Sequence, residues 1–73
     1  MALYKITELP FGGKEAVTQY EALPYHTALA KFNELCQDRN ADLDREDDEG
    51  EIQEGEQLTA FYEGACWIKL EAE

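Results

Sequence analysis

The residues that could carry out covalent or metal chemistry are few. The chain has one histidine, His26, two cysteines, Cys36 and Cys66, and no serine to serve as a nucleophile. Both cysteines fall on predicted apolar faces, where a thiol is inert and packs as a small hydrophobic residue. A zinc site built from these three residues and an acid would lack the close ligand spacings that such sites use. A Cys–His pair stays formally open, but the sequence predicts no catalytic residue, no metal site and no cofactor.

Acidic residues are abundant, and most of them are crowded into one segment. Residues 38–56 hold ten acids and two arginines, so eight of the eleven net negative charges lie there. Asp42, Asp44 and Glu46 alternate like the first ligands of a calcium loop, but Asp47 stands where that loop needs glycine, and its twelfth position is not glutamate. Loose cation binding stays open, and solvated charge is the interpretation we favour. Acid–base catalysis needs an apolar pocket that separates two carboxyl pKa values, so we expect no enzyme.

The overall charge limits the kinds of partner. A formal net charge of −11 on 73 residues repels nucleic acid and anionic membranes and attracts basic surfaces. We therefore expect a basic protein or nucleoprotein complex as partner, with no direct nucleic-acid binding and no membrane. The length fits a single domain over residues 1–73 with a thin core, so a homodimer is possible. The N-terminal stretch MALYKITELP has no apolar run long enough for a signal or membrane segment, which predicts a cytoplasmic protein.

One helix must organise the core. The stretch from Pro24 to Asn40 places five apolar residues on a single stripe with a period of 3.6, namely Ala28, Leu29, Phe32, Leu35 and Cys36. Pro24 suits the first helical turn, with Thr27 as an alternative cap, and Asn40 can adopt the left-handed conformation that closes a helix.

Four strand-like runs flank this helix. Leu3 to Leu9 and Glu15 to Leu23 are joined by a turn that contains a Gly-Gly pair, and residues 57–63 and 65–71 are joined at Glu63-Gly64. The pattern predicts an α+β fold, β-β-α-β-β, with a four-stranded antiparallel sheet and one helix packed on one face. Residues 40–57 are predicted to form an acidic mobile segment, because they have too few apolar residues to offset the entropy of ordering.

A single helix covers only one face of a sheet. Cys66, Ile68 and Leu70 are expected to face the helix, which leaves Phe61 and Trp67 on the opposite face. Exposed aromatic residues are typical of binding sites. Packing in a thin core or in a homodimer is the interpretation we favour for these two rings, and a partner site is the alternative.

The acidic run DLDREDDEGEIQEGE, after a strand-strand-helix unit and before the hairpin QLTAFYEGACWIKLE, resembles the small acidic proteins with which phages inhibit bacterial defence systems, the anti-CRISPR proteins above all. The resemblance is one of size, charge and α+β layout. It implies a non-enzymatic inhibitor acting in the host cell cytoplasm, which blocks a basic nucleic-acid-binding site by charge mimicry.

Carboxylates spaced like phosphates can occupy a groove lined by lysine and arginine, which gives this function a physical basis. The predicted partner-binding residues are nine acids and two aromatic anchors: Asp42, Asp44, Glu46, Asp47, Asp48, Glu49, Glu51, Glu54, Glu56, Phe61 and Trp67. Two alternatives stay open. One is an interaction or assembly module, or an antitoxin-like partner, that binds through its open sheet face while the acids keep it soluble. The other is a small cation-binding protein.

Overall fold

The fold is a five-stranded antiparallel sheet with one helix packed on one face, in a computed structural model that describes residues 2–44 and 52–73. The strands are β1 (Tyr4–Leu9), β2 (Val17–Leu23), β3 (Asp42–Asp44), β4 (Leu58–Tyr62) and β5 (Cys66–Ala72), and the helix is α1 (Tyr25–Arg39). Their order across the sheet is β2-β1-β5-β4-β3, so the two hairpins meet where β1 pairs with β5.

The α+β class and the single helix were predicted correctly, but the count of four strands was wrong. The additional strand, β3, lies within the acidic segment that was predicted to be mobile, and it forms the outer edge of the sheet against β4. It has only one apolar residue, Leu43, so no hydrophobic alternation could reveal it. Its pairing with the free backbone edge of β4 accounts for the strand.

Helix α1 begins and ends close to the predicted positions. Pro24 is the residue before the first turn, with no side-chain cap, so Thr27 does not serve as one. Asn40 is left-handed at φ 56°, and the N–H groups of Asn40 and Ala41 donate to the carbonyls of Gln37 and Cys36. This is the Schellman closure, which satisfies two carbonyls at the end of the helix.

The core lies between the helix and the face of the sheet formed by alternate residues of β1, β5 and β4. The predicted inward face of β5 is confirmed, because Cys66, Ile68 and Leu70 are all buried. Ala28, Phe32 and Leu35 of the predicted helical stripe are buried as well, while Leu29 and Cys36 are half-buried. The strands of the sheet supply the remaining core residues, which include Ile6, Leu58 and Ala60.

Two further findings concern the described residues. No helix in residues 2–44 and 52–73 is long and apolar enough to span a membrane. The same part of the chain has no group of three or more histidine, cysteine, aspartate or glutamate side chains arranged to hold a metal ion.

Candidate functional site

The sheet face opposite the helix carries the candidate site. Residues that alternate with the buried ones share this face, and the register aligns one row of them across four neighbouring strands: Leu9, Trp67, Phe61 and Asp42. The row is apolar on three strands and ends in a carboxylate on the edge strand. A second row runs parallel to it through Thr7, Lys69, Thr59 and Asp44.

The two predicted aromatic anchors both lie on this face but differ in how accessible they are. Phe61 is 42% exposed, whereas Trp67 is half-buried. Lys69 Nζ lies 5.3 Å from the centroid of the Trp67 ring, at cation–π distance, and 4.0 Å from a carboxylate oxygen of Glu71. One face of Trp67 therefore already holds a cation, and Phe61 is the ring that is free to meet another molecule.

Asp42 and Asp44 lie on the edge strand β3, next to Phe61 of β4. Asp42 is directly opposite Phe61 in the antiparallel register, and Asp44 is opposite Thr59. Both aspartates are exposed, and neither side chain has a hydrogen bond or ion pair to any other residue that the structure describes. We call Asp42, Asp44, Phe61 and Trp67 the acidic–aromatic patch. Its two carboxylates are exposed, and neither forms an ion pair with any of residues 2–44 and 52–73.

A groove lies beside this patch and adds a third carboxylate, which the sequence interpretation missed. It is lined by Asp42, Asp44 and Phe61 together with Glu63 and four neighbouring residues, Asn40, Leu43, Tyr62 and Gly64. Glu63 and Gly64 have φ values of 50° and 79°, and Ala65 N–H donates to the Glu63 carbonyl at 2.9 Å. From the sequence alone, the pair Glu63-Gly64 predicts only a turn. Because positive φ is unfavourable for glutamate, the turn itself does not explain this residue.

The acidic surface continues around that turn towards the helix. A second groove is lined by Phe11, Asp38, Arg39, Tyr62 and Glu63, and thus shares its last two residues with the first. Phe11 is 77% exposed in the connection between β1 and β2. Aromatic rings and carboxylates are therefore interleaved at the end of the sheet where the helix finishes.

A buried ionic network holds this end of the molecule together. Glu8 is only 1% exposed and points towards the helix, where its carboxylate accepts hydrogen bonds from Arg39 Nε and Nη2, from Tyr62 Oη and from Gln19 Nε2. The Nη2 bond is 3.1 Å long and the Gln19 bond is 2.8 Å. No buried side-chain nitrogen or oxygen within residues 2–44 and 52–73 lacks a partner.

The network raises the pKa of two of its members, Tyr62 and Arg39, and connects the helix to β4, which carries Phe61. Burial, followed by the hydrogen bond to Glu8, raises the pKa of Tyr62 to about 12. The hydrogen bond to Glu8 is also the main reason why the pKa of Arg39 is raised. Hydrogen bonds to Glu8 connect β1 with β2, with the end of the helix and with β4. Phe61 is next to Tyr62 and therefore lies on a strand that the network holds in place. Glu8 follows Tyr4 and Ile6 with a period of two, a signal that could have indicated its burial.

Two further predicted residues, Glu54 and Glu56, are not brought to the patch. Glu54 lies near the start of the helix, with Oε1 3.7 Å from Nε2 of exposed His26, and the Glu56 carbonyl accepts a hydrogen bond from Tyr25 Oη at 3.2 Å. A helix of 15 residues is about 22 Å long, so these acids lie far from Asp42, which follows the other end of the helix. The predicted residues Glu46, Asp47, Asp48, Glu49 and Glu51 lie outside the described residues.

The residues considered for metal or thiol chemistry lie in different parts of the fold and form no metal-binding group among the described residues. His26 is at the start of the helix and exposed, Cys36 is half-buried near its end, and Cys66 is buried in β5. Burial raises the pKa of the Cys36 thiol, which lowers its reactivity.

Comparison of the chain with models of protein families, with curated proteins and with solved structures gives no match.

Proposed function

We propose that this protein is a non-enzymatic binding protein that docks its acidic–aromatic patch on a basic nucleic-acid-binding site of another protein and blocks access to that site. The partner is a basic protein or nucleoprotein complex, of the kind that phage inhibitors of bacterial defence act on. Such an inhibitor needs neither a cofactor nor a reaction.

One observation carries the proposal: the exposed, unpaired carboxylates of Asp42 and Asp44 lie beside the exposed ring of Phe61 on a sheet face that no element of the described chain covers. A lysine- or arginine-lined groove would exchange its counterions for these carboxylates as it does for phosphates. Glu63 adds to the same field from the neighbouring groove.

The carboxylates and the ring have different tasks. Charges at the edge of an interface speed association and set its orientation, whereas a desolvated aromatic anchor slows dissociation. A phenylalanine side chain has about 200 Å² of surface, so burying the exposed 42% of Phe61 would contribute about 2 kcal/mol at ~25 cal/mol per Å². Phe61 is therefore the expected anchor.

A second candidate function is favoured by the apolar row formed by Leu9, Trp67 and Phe61. In that case the protein is an interaction or assembly module, or an antitoxin-like partner, whose sheet face makes the contact while the acids only provide solubility. Such a contact would be nearly insensitive to salt, because few ions are released when it forms.

The test is capture of partners from a bacterial lysate at about 50 mM and about 200 mM salt, followed by competition with an oligonucleotide for each captured protein. Under the proposal, Asp42→Asn with Asp44→Asn abolishes capture at low salt. The matched control, Glu34→Gln with Glu54→Gln, removes two exposed charges from elsewhere on the molecule and leaves capture intact.

The two candidate functions predict opposite effects of salt and of the aspartate substitutions on partner binding. Phe61→Ala with Trp67→Ala should weaken the blocking of nucleic acid and leave its salt dependence unchanged if the proposal is right. A partner that is retained at high salt, survives loss of both aspartates and does not compete with the oligonucleotide would overturn the proposal in favour of the assembly module.

A further inference from the structure

The arrangement of the carboxylates and the ring in the acidic–aromatic patch can be compared with that of phosphates and bases in duplex and in single-stranded nucleic acid. Asp42 and Asp44 are two residues apart on one face of β3, a separation of about 6.6 Å along the strand. Phe61 is the register partner of Asp42, and directly opposed residues of antiparallel strands have Cα atoms about 5 Å apart. A short anionic row thus runs along an open edge with an aromatic ring beside it.

A nucleic-acid duplex does not present this combination. Its phosphates are exposed while the faces of its bases are stacked on one another, so a protein reads only base edges in the grooves. A single strand exposes both its phosphates and the faces of its bases. Proteins that hold single strands combine a positive groove along the backbone with aromatic or arginine planes on which bases stack.

From this geometry we infer that the partner site is one that binds single-stranded nucleic acid, with the carboxylates of Asp42 and Asp44 in place of phosphates and the ring of Phe61 in place of a base. This inference rests on the proposed function, because it specifies which kind of basic site the patch meets. Trp67 has a smaller part in it, since Lys69 Nζ already lies over its ring.

Two synthetic peptides of equal length and equal arginine content provide the test. In one, arginine alternates with tryptophan, which supplies stacking planes, and in the other it alternates with alanine. The wild-type protein should bind the arginine–tryptophan peptide about tenfold more tightly at about 50 mM salt, which is within the range of a single stacking contact.

Phe61→Leu separates stacking from simple apolar contact, because leucine keeps an apolar side chain at the same exposed position but has no ring. The tenfold preference should vanish in this variant, while its affinity for the arginine–alanine peptide changes by no more than about twofold to threefold, through the lost cation–π contact. Circular dichroism checks that the variant is folded.

The outcomes separate the inference from the proposed function. If both peptides bind equally, or if Phe61→Leu keeps the preference, the single-strand inference is overturned. The proposed function would still hold if the arginine–alanine peptide binds in a salt-dependent way that Asp42→Asn with Asp44→Asn abolishes. Failure of the wild-type protein to bind either peptide at low salt would overturn both.

Discussion

The buried network around Glu8 gives the most direct physical prediction, through the variant Tyr62→Phe. This substitution removes one hydroxyl and leaves the ring, so the Glu8 carboxylate loses one of its donors while Arg39 and Gln19 remain. A hydrogen bond to a charged group contributes about 1.5–3 kcal/mol, and we expect Tyr62→Phe to lower the free energy of unfolding by about 2 kcal/mol at pH 8. That is a large part of the total for a chain of this size, since stability is about 0.05–0.15 kcal/mol per residue.

The cost of Tyr62→Phe should depend on pH with a defined sign. The pKa of Tyr62 is raised from 10.0 in the unfolded chain to about 12 in the folded protein, so the folded state holds the phenolic proton more tightly. The stabilisation is complete below pH 10 and is lost as the pH rises from 10 towards 12, because Tyr62 ionises first in the unfolded state and this ionisation lowers the free energy of that state. Linkage with these two values gives a loss of about 1.4 kcal/mol by pH 11, an upper bound because Tyr62 is partly in contact with water.

Urea unfolding followed by the fluorescence of Trp67, the single tryptophan, measures both effects. The difference between wild type and Tyr62→Phe should fall from about 2 kcal/mol at pH 8 towards a lower limit of about 0.6 kcal/mol at pH 11. Tyr20→Phe is the matched control, because Tyr20 packs against the core and its hydroxyl has no hydrogen bond to any described residue. It should change stability by less than about 0.5 kcal/mol at either pH. A difference for Tyr62→Phe that stays constant from pH 8 to pH 11 would refute the role assigned to the network.

Three further predictions concern the helix end, the turn and the patch. Asn40→Gly should leave stability equal or slightly higher and Asn40→Ala should lower it by about 1 kcal/mol, measured by urea unfolding, because φ at this position is 56° and only glycine adopts such a value freely. Equal effects of the two would contradict the Schellman closure. Glu63→Gly should raise the free energy of unfolding by about 0.5–1 kcal/mol by relieving φ 50°, yet weaken low-salt binding of the arginine–alanine peptide; unchanged binding would remove Glu63 from the site. Lys69→Thr should strengthen binding of that peptide by about threefold in calorimetry, because it removes the cation that lies next to the patch and frees the Trp67 ring. Weaker binding would show instead that Lys69 supports the patch.

The sequence predicted those parts of the fold whose residues follow a simple period. The helix was predicted within one residue at each end from its apolar stripe and from Asn40, and four strands were predicted from alternation and turn chemistry. Strand β3 could not be predicted, because three residues with one apolar side chain carry no periodic signal, and their pairing depends on an edge of β4 far along the chain.

The residue types of the acidic–aromatic patch were predicted, but their arrangement was not, and whether the patch is a binding site stays a prediction. Phe61 and Trp67 were expected on the open face and lie there, and the structure shows that Phe61 is the exposed one. Asp42 and Asp44 lie beside Phe61 only because β3 pairs with β4, whereas Glu54, of the same acidic segment, lies by His26. The burial of Glu8 depends on Arg39 and Tyr62, which are 31 and 54 residues away along the chain. Such long-range pairs leave no trace in local spacing.

The acids of β3 also have a protective explanation, which must be weighed against binding. A short edge strand with charged side chains resists pairing with other chains, so Asp42 and Asp44 could be present only to prevent aggregation. That explanation predicts polar neighbours on the same edge, because an exposed aromatic ring promotes the association that the charges suppress. Phe61 lies opposite Asp42 and is 42% exposed, which argues against a purely protective role of the acids. The carboxylates beside the ring repel a second copy of this acidic chain, and they attract a basic surface. A selective binding face requires both effects, because the same charges then prevent self-association and favour the partner.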